Sequence, residues 1–127
     1  DTNAYSALLR GHADVARRVR RAERIVFSVV VVGELLFGFR NGSRYESNRQ
    51  ELEDFLANPF VSLAPVGVVT ADRFGRIAAG LKRRGRPLPT NDIWIAAQAM
   101  ESGAELVSFD QHFDDVDGLA WVKPSGR

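Results

Sequence analysis

The chain has 127 residues, 45% of them hydrophobic, which suits one globular domain with a real core. Lys plus Arg number 17 against 16 Asp plus Glu, and the net charge of +1 excludes a protein that holds nucleic acid by bulk charge alone. With no cysteine, disulfide frameworks and thiolate zinc sites are excluded too.

Asp1, Thr2 and Asn3 lead into Tyr5, Leu8 and Leu9 at helical spacing, a pattern expected where a strand ends and a helix begins, with that first strand lying before Asp1. The start at Asp1, without an initiator Met, is expected of a processed, trimmed or renumbered chain. Val15, Ala16, Val19 and Ala22 continue at helical spacing, and the same segment carries a basic cluster of Arg17, Arg18, Arg20, Arg21 and Arg24. Ile25 to Phe27 reads as a short buried strand. Ser28 can cap a helix over SVVVVGELLFGF, although its consecutive valines favour strand. The apolar run Ile25 to Val32 is too short to span a bilayer and no signal peptide is visible, so a cytoplasmic protein is expected.

Ser43 to Glu46 has the form of a capping box for a helix through Leu52, Phe55 and Leu56, which Asn58 and Pro59 would end. Phe60 to Val66 suits a strand with Pro65 at its end. Thr70 is the expected cap of a helix that carries Phe74, Ile77, Ala78 and Leu81 on one face and stops near Gly85. A second basic cluster, Lys82, Arg83, Arg84 and Arg86, lies at its end. Pro87 and Pro89 precede a helix patterned on Ile93, Ala96, Ala97 and Met100, with Thr90 or Asn91 as cap and Gly103 as stop. Leu106 to Phe109 and Leu119 to Val122 read as strands. Strands alternating with helices pair in parallel through crossovers, which predicts a single α/β domain over 1–127, a three-layer α/β/α sandwich around a central parallel sheet.

Chemistry in such sheets sits beyond the carboxyl ends of the strands. Asp110 follows a strand directly, Glu34 lies one or two helical turns after another, Asp92 opens a helix, and Asp1 stands at the expected strand end. Asp92 alone is what a helix N-terminus ordinarily attracts. Taken together, these acids can meet in one pocket, where their repulsion demands a cation. Oxygen ligands without cysteine suit Mg²⁺ or Mn²⁺ better than zinc, and such ions favour phosphodiester hydrolysis by acidifying a bound water. Ser108 and Asn91 are candidates to orient the acids by hydrogen bonds. A phosphoacceptor domain also gathers acids at strand ends, but it wants a lysine near a late strand end, and Lys82 lies in a basic helix end.

The motifs DTN (Asp1 to Asn3), SVVVVGELLFG (Ser28 to Gly38), PTNDIWIAAQA (Pro89 to Ala99) and LVSFDQHF (Leu106 to Phe113) resemble, in order and spacing, those of PIN-domain proteins, and most of all the VapC toxins of bacterial VapB–VapC toxin–antitoxin modules. The resemblance implies a Mg²⁺- or Mn²⁺-dependent endoribonuclease held in check by a VapB-like antitoxin, with Asp1, Glu34, Asp92 and Asp110 as catalytic and metal-binding acids. Where many relatives have a further acid two residues past the last Asp, this chain has His112, which leaves Asp114 or Asp115 as substitutes. The alternative is a catalytically impaired PIN-like module that binds RNA or a partner. His12 and His112 are expected at the surface or behind the acids, Trp94 and Trp121 in the core or an interface. Arg83, Arg84 and Arg86 are candidate RNA phosphate contacts. Tyr45, Leu52, Phe55 and Leu56, or Phe37 and Phe39, are expected to leave apolar surface for a homodimer and for an antitoxin helix.

Overall fold

The computed structural model describes residues 1–126. In chain order it forms α1 (Thr2–Leu9), α2 (Ala13–Arg21), β1 (Ile25–Ser28), α3 (Val29–Arg40), α4 (Tyr45–Leu56), β2 (Val61–Ala64), α5 (Val68–Arg84), α6 (Thr90–Ser102), β3 (Leu106–Val107), a 3₁₀ turn (Gln111–Asp115) and β4 (Trp121–Val122). β1 pairs in parallel with β2, setting Phe27 opposite Leu63, and β3 pairs in parallel with β4, setting Leu106 opposite Trp121. The sheet is thus present as two parallel pairs. Between them lies a cavity of about 510 Å³ lined by residues that include Phe27, Ile95, Gln98, Leu106 and Val107, with Asp1 also on its wall.

Valine after valine at the start of α3 is a strand-like sequence, yet it is helical because its first turn is fastened from outside. The Ser28 hydroxyl accepts hydrogen bonds from the N–H groups of Val30 (3.0 Å) and Val31 (3.3 Å). The same hydroxyl donates to Oε1 of buried Gln98, whose amide donates to the carbonyls of Ala64 (2.9 Å) and Pro65 (3.2 Å). One serine therefore joins the end of β1, the start of α3, α6 and the end of β2. Val31 and Leu35 are then buried while Glu34, on the same helix, is half-buried.

The core is built on α6, which buries Ile93, Ile95, Ala96, Ala97 and Ala99 and makes its most extensive contact with α5. Alanines permit that close approach, and Phe74 of α5 stacks on Trp94 with ring centres 4.1 Å apart. On the other side Tyr5, Phe27 and Phe55 meet edge to face at 5.2 to 5.5 Å, tying α1, β1 and α4 together, each pair contributing about 0.5–1.5 kcal/mol beyond area burial. Gly85 and Gly103 end α5 and α6 in the left-handed conformation (φ 66° and 65°), as their sequence positions predict.

Several caps differ from expectation. α4 begins one residue later than the Ser43 box requires, with Arg44 at its cap and no side-chain cap bond; Glu46 pairs with Arg49 instead (3.0 Å). Solvent can serve the N–H groups at this exposed end. Thr70 lies inside the first turn of α5. There it is fully buried, accepts from the Gly67 N–H (3.0 Å) and donates to Glu101 Oε1 (2.5 Å). At α6 neither Thr90 nor Asn91 caps; Pro89 holds that place, and its carbonyl accepts from Asp92 N–H (3.0 Å). β3 and β4 are shorter than the apolar runs suggest, although Leu106 N–H still bonds to the Ala120 carbonyl (2.8 Å) and Ser108 N–H to that of Val122 (3.2 Å). None of the described helices is long and apolar enough to cross a membrane.

Replacing Ser28 by Ala should remove the α3 cap and leave the Gln98 carbonyl oxygen without its donor. We expect a loss of about 1–3 kcal/mol in urea unfolding, and a loss below about 0.5 kcal/mol would show that the junction is not held by this hydroxyl.

Candidate active site

Each acid stands at a helix start or strand end on one side of the fold. Asp1 caps α1, its Oδ1 accepting from the Ala4 N–H (2.9 Å). Its other oxygen accepts from the Ser108 hydroxyl (2.5 Å), and the Ser108 Oγ accepts in turn from the Asp110 N–H (3.0 Å). Ser108 is fully buried just after β3, and the Trp121 indole N–H holds its carbonyl (3.1 Å). Glu34, on the second turn of α3, receives the Thr2 hydroxyl on Oε1 (2.7 Å) and the Asn91 amide on Oε2 (3.3 Å). Asp92 lies in the first turn of α6, where the helix dipole favours its charge. Ser108 and Asn91 thus bond the acids in the structure. Thr2 does the same, and no spacing rule singles it out, since its partner is 32 residues away.

The electrostatics show the acids converging. Burial raises the Asp92 carboxyl above its ordinary 3.8; His112 opposes this, and the charges of Asp110 and Glu34 add to the rise. The charges of Glu34, Asp92 and Asp110 therefore act on one another, and Asp1 is tied to Asp110 through Ser108. Asp92, Asp110 and His112 offer ligand atoms that lie within 4.8 Å of one another, a spacing that could hold a metal ion. His112 Nε2 is buried without a properly directed hydrogen-bond partner, although it lies 2.9 Å from Asp92 Oδ2. An orphaned nitrogen facing carboxylates fits a cation site.

Other candidates sit elsewhere. Asp114 is exposed, and Asp115 stands 3.8 Å from Arg86, so His112 rather than either acid faces Asp92. His12 caps α2, its Nδ1 accepting from the Val15 N–H (3.3 Å). Arg84 is bonded to Asp117 (3.0 Å) and to the Asp115 carbonyl (2.5 Å), whereas Arg83 makes no ion pair among the described residues. In the other basic cluster, buried Asp14 engages Arg17 and Arg18 and accepts from the Ser125 N–H (2.9 Å). The expected apolar surface on α4 is not there: Leu52 is buried and Phe55 and Leu56 pack against the core, because the Tyr5–Phe27–Phe55 contact pulls α4 inward. Of that set Phe37 is 69% exposed. The larger exposed group is Phe60, Leu63, Val66, Val68 and Val69 along β2 and the start of α5.

Helices starting beside the ends of parallel strands, with carboxylates drawn to that side, define an α/β protein with an acidic pocket of the kind that holds divalent ions. The PIN domain family model matches residues 1–119, and the chain belongs to that family. It is 29% identical to Ribonuclease VapC1 of Haemophilus influenzae (strain R2866) over 126 residues, covering 95% of this chain and 92% of that one. In fold it is similar to VapBC2 from Rickettsia felis bound to a promoter DNA fragment, with a TM-score of 0.87 at 21% identity over 98% of this chain and 96% of that one. It is also similar to VapBC-1 from nontypeable Haemophilus influenzae, with a TM-score of 0.82 at 25% identity over 94% and 90%.

The raised Asp92 pKa has a defined sign. A carboxyl whose folded pKa exceeds its unfolded one destabilises the fold above the folded pKa, and the penalty disappears once pH falls below the unfolded value. In EDTA, Asp92→Asn should therefore melt no lower than the wild type near neutral pH, and any advantage should vanish toward pH 3.8. Calorimetry at the two pH values would show it. A clearly lower melting temperature for the variant near neutral pH would contradict the burial argument.

Proposed function

We propose that this chain is a Mg²⁺- or Mn²⁺-dependent endoribonuclease and the toxin of a bacterial type II toxin–antitoxin module, formed as a single domain over 1–127. The observation that carries this reading is the meeting of Asp92 and Asp110 beside His112, with Asp1 tied to Asp110 through Ser108 and Glu34 held by Thr2 and Asn91. Similarity to Ribonuclease VapC1 and to VapBC assemblies supports the substrate class and the antitoxin partner.

The carboxylates would hold the ion, and His112 lies against them. When bound, Mg²⁺ or Mn²⁺ would supply acidified water as nucleophile and positive charge to offset the negative charge that develops on the phosphodiester oxygens. The chain's own part is positional. Ser108 fixes Asp1 relative to the Asp110 backbone, while Thr2 and Asn91 clamp both oxygens of Glu34, so neither acid must reorganise as charge develops. Arg83, with Arg84 and Arg86 behind it, supplies phosphate contacts for RNA that the acids themselves would repel.

Asp110→Asn should abolish RNA cleavage in Mn²⁺ or Mg²⁺, by about a hundredfold or more, with the fold intact by circular dichroism. Wild-type products should carry 5′-phosphate and 3′-hydroxyl ends, because water attacks rather than the ribose 2′-OH; 2′,3′-cyclic phosphates, or full activity in the variant, would sink the mechanism. On the inactive background, Arg83→Ala should reduce the salt slope of RNA binding by about one, and an unchanged slope would remove Arg83 from the interface.

A homodimer joined through Phe60, Leu63, Val66, Val68 and Val69 accounts for the largest exposed apolar group, and exposed Phe37 marks the seat of an amphipathic antitoxin segment. Light scattering on the isolated chain should give a dimer mass that Val69→Asp reduces to a monomer, while Phe37→Asp weakens antitoxin binding and leaves the mass alone. A monomeric wild type would refute the dimer.

A further inference from the structure

Resting on the metal-dependent reading above, we infer that His112 is itself a metal ligand through Nε2, and that this nitrogen makes the site prefer Mn²⁺ over Mg²⁺.

His112 enters the pocket because the 3₁₀ turn follows Asp110 directly. Phe113, 1% exposed, plugs the core and fixes that turn, and the His112 ring rests against it edge to face at 4.9 Å. The ring is thereby aimed, and its Nε2 comes within 2.9 Å of Asp92 Oδ2 and 4.0 Å of Asp110 Oδ2. Two acceptor atoms 2.9 Å apart require either a proton directed along the line between them or a cation shared by both. Nε2 is buried and out of line for a hydrogen bond to Asp92, which favours the second.

The second arrangement fits by size. Around an octahedral ion with bonds of about 2.1 Å, adjacent ligands stand about 3.0 Å apart and opposite ones about 4.2 Å. Both separations from His112 fall in that range. Nothing comparable gathers around Asp114 or Asp115, the acids next along the turn: one is exposed and the other faces Arg86.

A nitrogen in the ligand set changes which ion is held. Mg²⁺ is hard, demands oxygen and keeps its waters, whereas imidazole suits the divalent transition metals, and affinity rises from Mn²⁺ along the first row. Within the oxygen pocket of Asp1, Glu34, Asp92 and Asp110, the single imidazole is the element that discriminates between the two ions.

The test measures binding without RNA. Mn²⁺ and Mg²⁺ are titrated calorimetrically into the wild type, His112→Ala and His112→Asp, each checked for native circular dichroism, and the Mn²⁺ complexes are examined by pulsed electron paramagnetic resonance for coupling to an imidazole nitrogen. The wild type should show that coupling and His112→Ala should lose it. Mn²⁺ affinity should fall at least about tenfold in His112→Ala with little change for Mg²⁺, and His112→Asp should shift the Mn²⁺ to Mg²⁺ ratio toward Mg²⁺. Absence of nitrogen coupling in the wild type, unchanged Mn²⁺ affinity in His112→Ala, or no Mn²⁺ binding at all would each overturn the inference. Nitrogen-coupled Mn²⁺ in a protein that does not cut RNA would support it while removing the nuclease reading.

Discussion

Everything on the active face answers to one constraint: carboxylates gathered on one side of the fold repel one another. Burial raises the Asp92 pKa, His112 opposes the rise, and the charges of Asp110 and Glu34 add to it, so the fold must hold the acids against both burial and repulsion. It does so with small donors and with His112 against Asp92, rather than with lysine or arginine. The Ser108 and Thr2 hydroxyls and the Asn91 amide each satisfy carboxylate oxygens without neutralising them. A lysine or arginine in their place would pair with the acids and fill the position a cation needs. The arginines are instead engaged at the periphery, Arg17 and Arg18 by Asp14, and Arg84 by Asp117.

Holding like charges together requires a rigid support, and the support is assembled from chain ends that are themselves tied. Ser28 fastens the first turn of α3, which carries Glu34, to Gln98 of α6, which carries Asp92. Ser108 fastens Asp1 of α1 to the backbone of Asp110. Each serine is placed at the end of a strand, where the backbone turns away from the ladder and its side chain is free to bond across elements. Helix N-termini start nearby, so their dipoles add to the field that favours anions on this side.

A cavity lies between the two strand pairs, and a separate exposed apolar group lies along β2 and the start of α5. β1 is held by β2 on one edge, while its other edge faces Leu106 and Val107 across space rather than through a ladder. On the far side, Leu63 and the valines at the start of α5 have no described element over them, and Val68 is 87% exposed. Leu63 and these valines are thus left at the surface.

Much of this was legible in the residues. The alternation of apolar periods, the helix stops at Gly85 and Gly103, and the placement of Glu34, Asp92 and Asp110 at helix starts and strand ends follow from local rules, because backbone preference and dipole effects act within a turn or two. Other features were not. Ser43 looks like a cap and is not one, Thr70 caps from inside its helix, and the valines of α3 are helical against their propensity, since each outcome depends on a partner distant in sequence or on solvent exposure. Thr2 lies in the DTN motif and His112 two residues past Asp110, but neither position says what the side chain meets: Thr2 reaches Glu34 on another helix, and His112 comes to Asp92 on a turn fixed by buried Phe113. The sequence by itself determined the elements and the acids that they carry, whereas only tertiary packing decided which neutral donors and which imidazole meet those acids, because hydrogen bonds and ion contacts are set by distances that local periodicity does not encode.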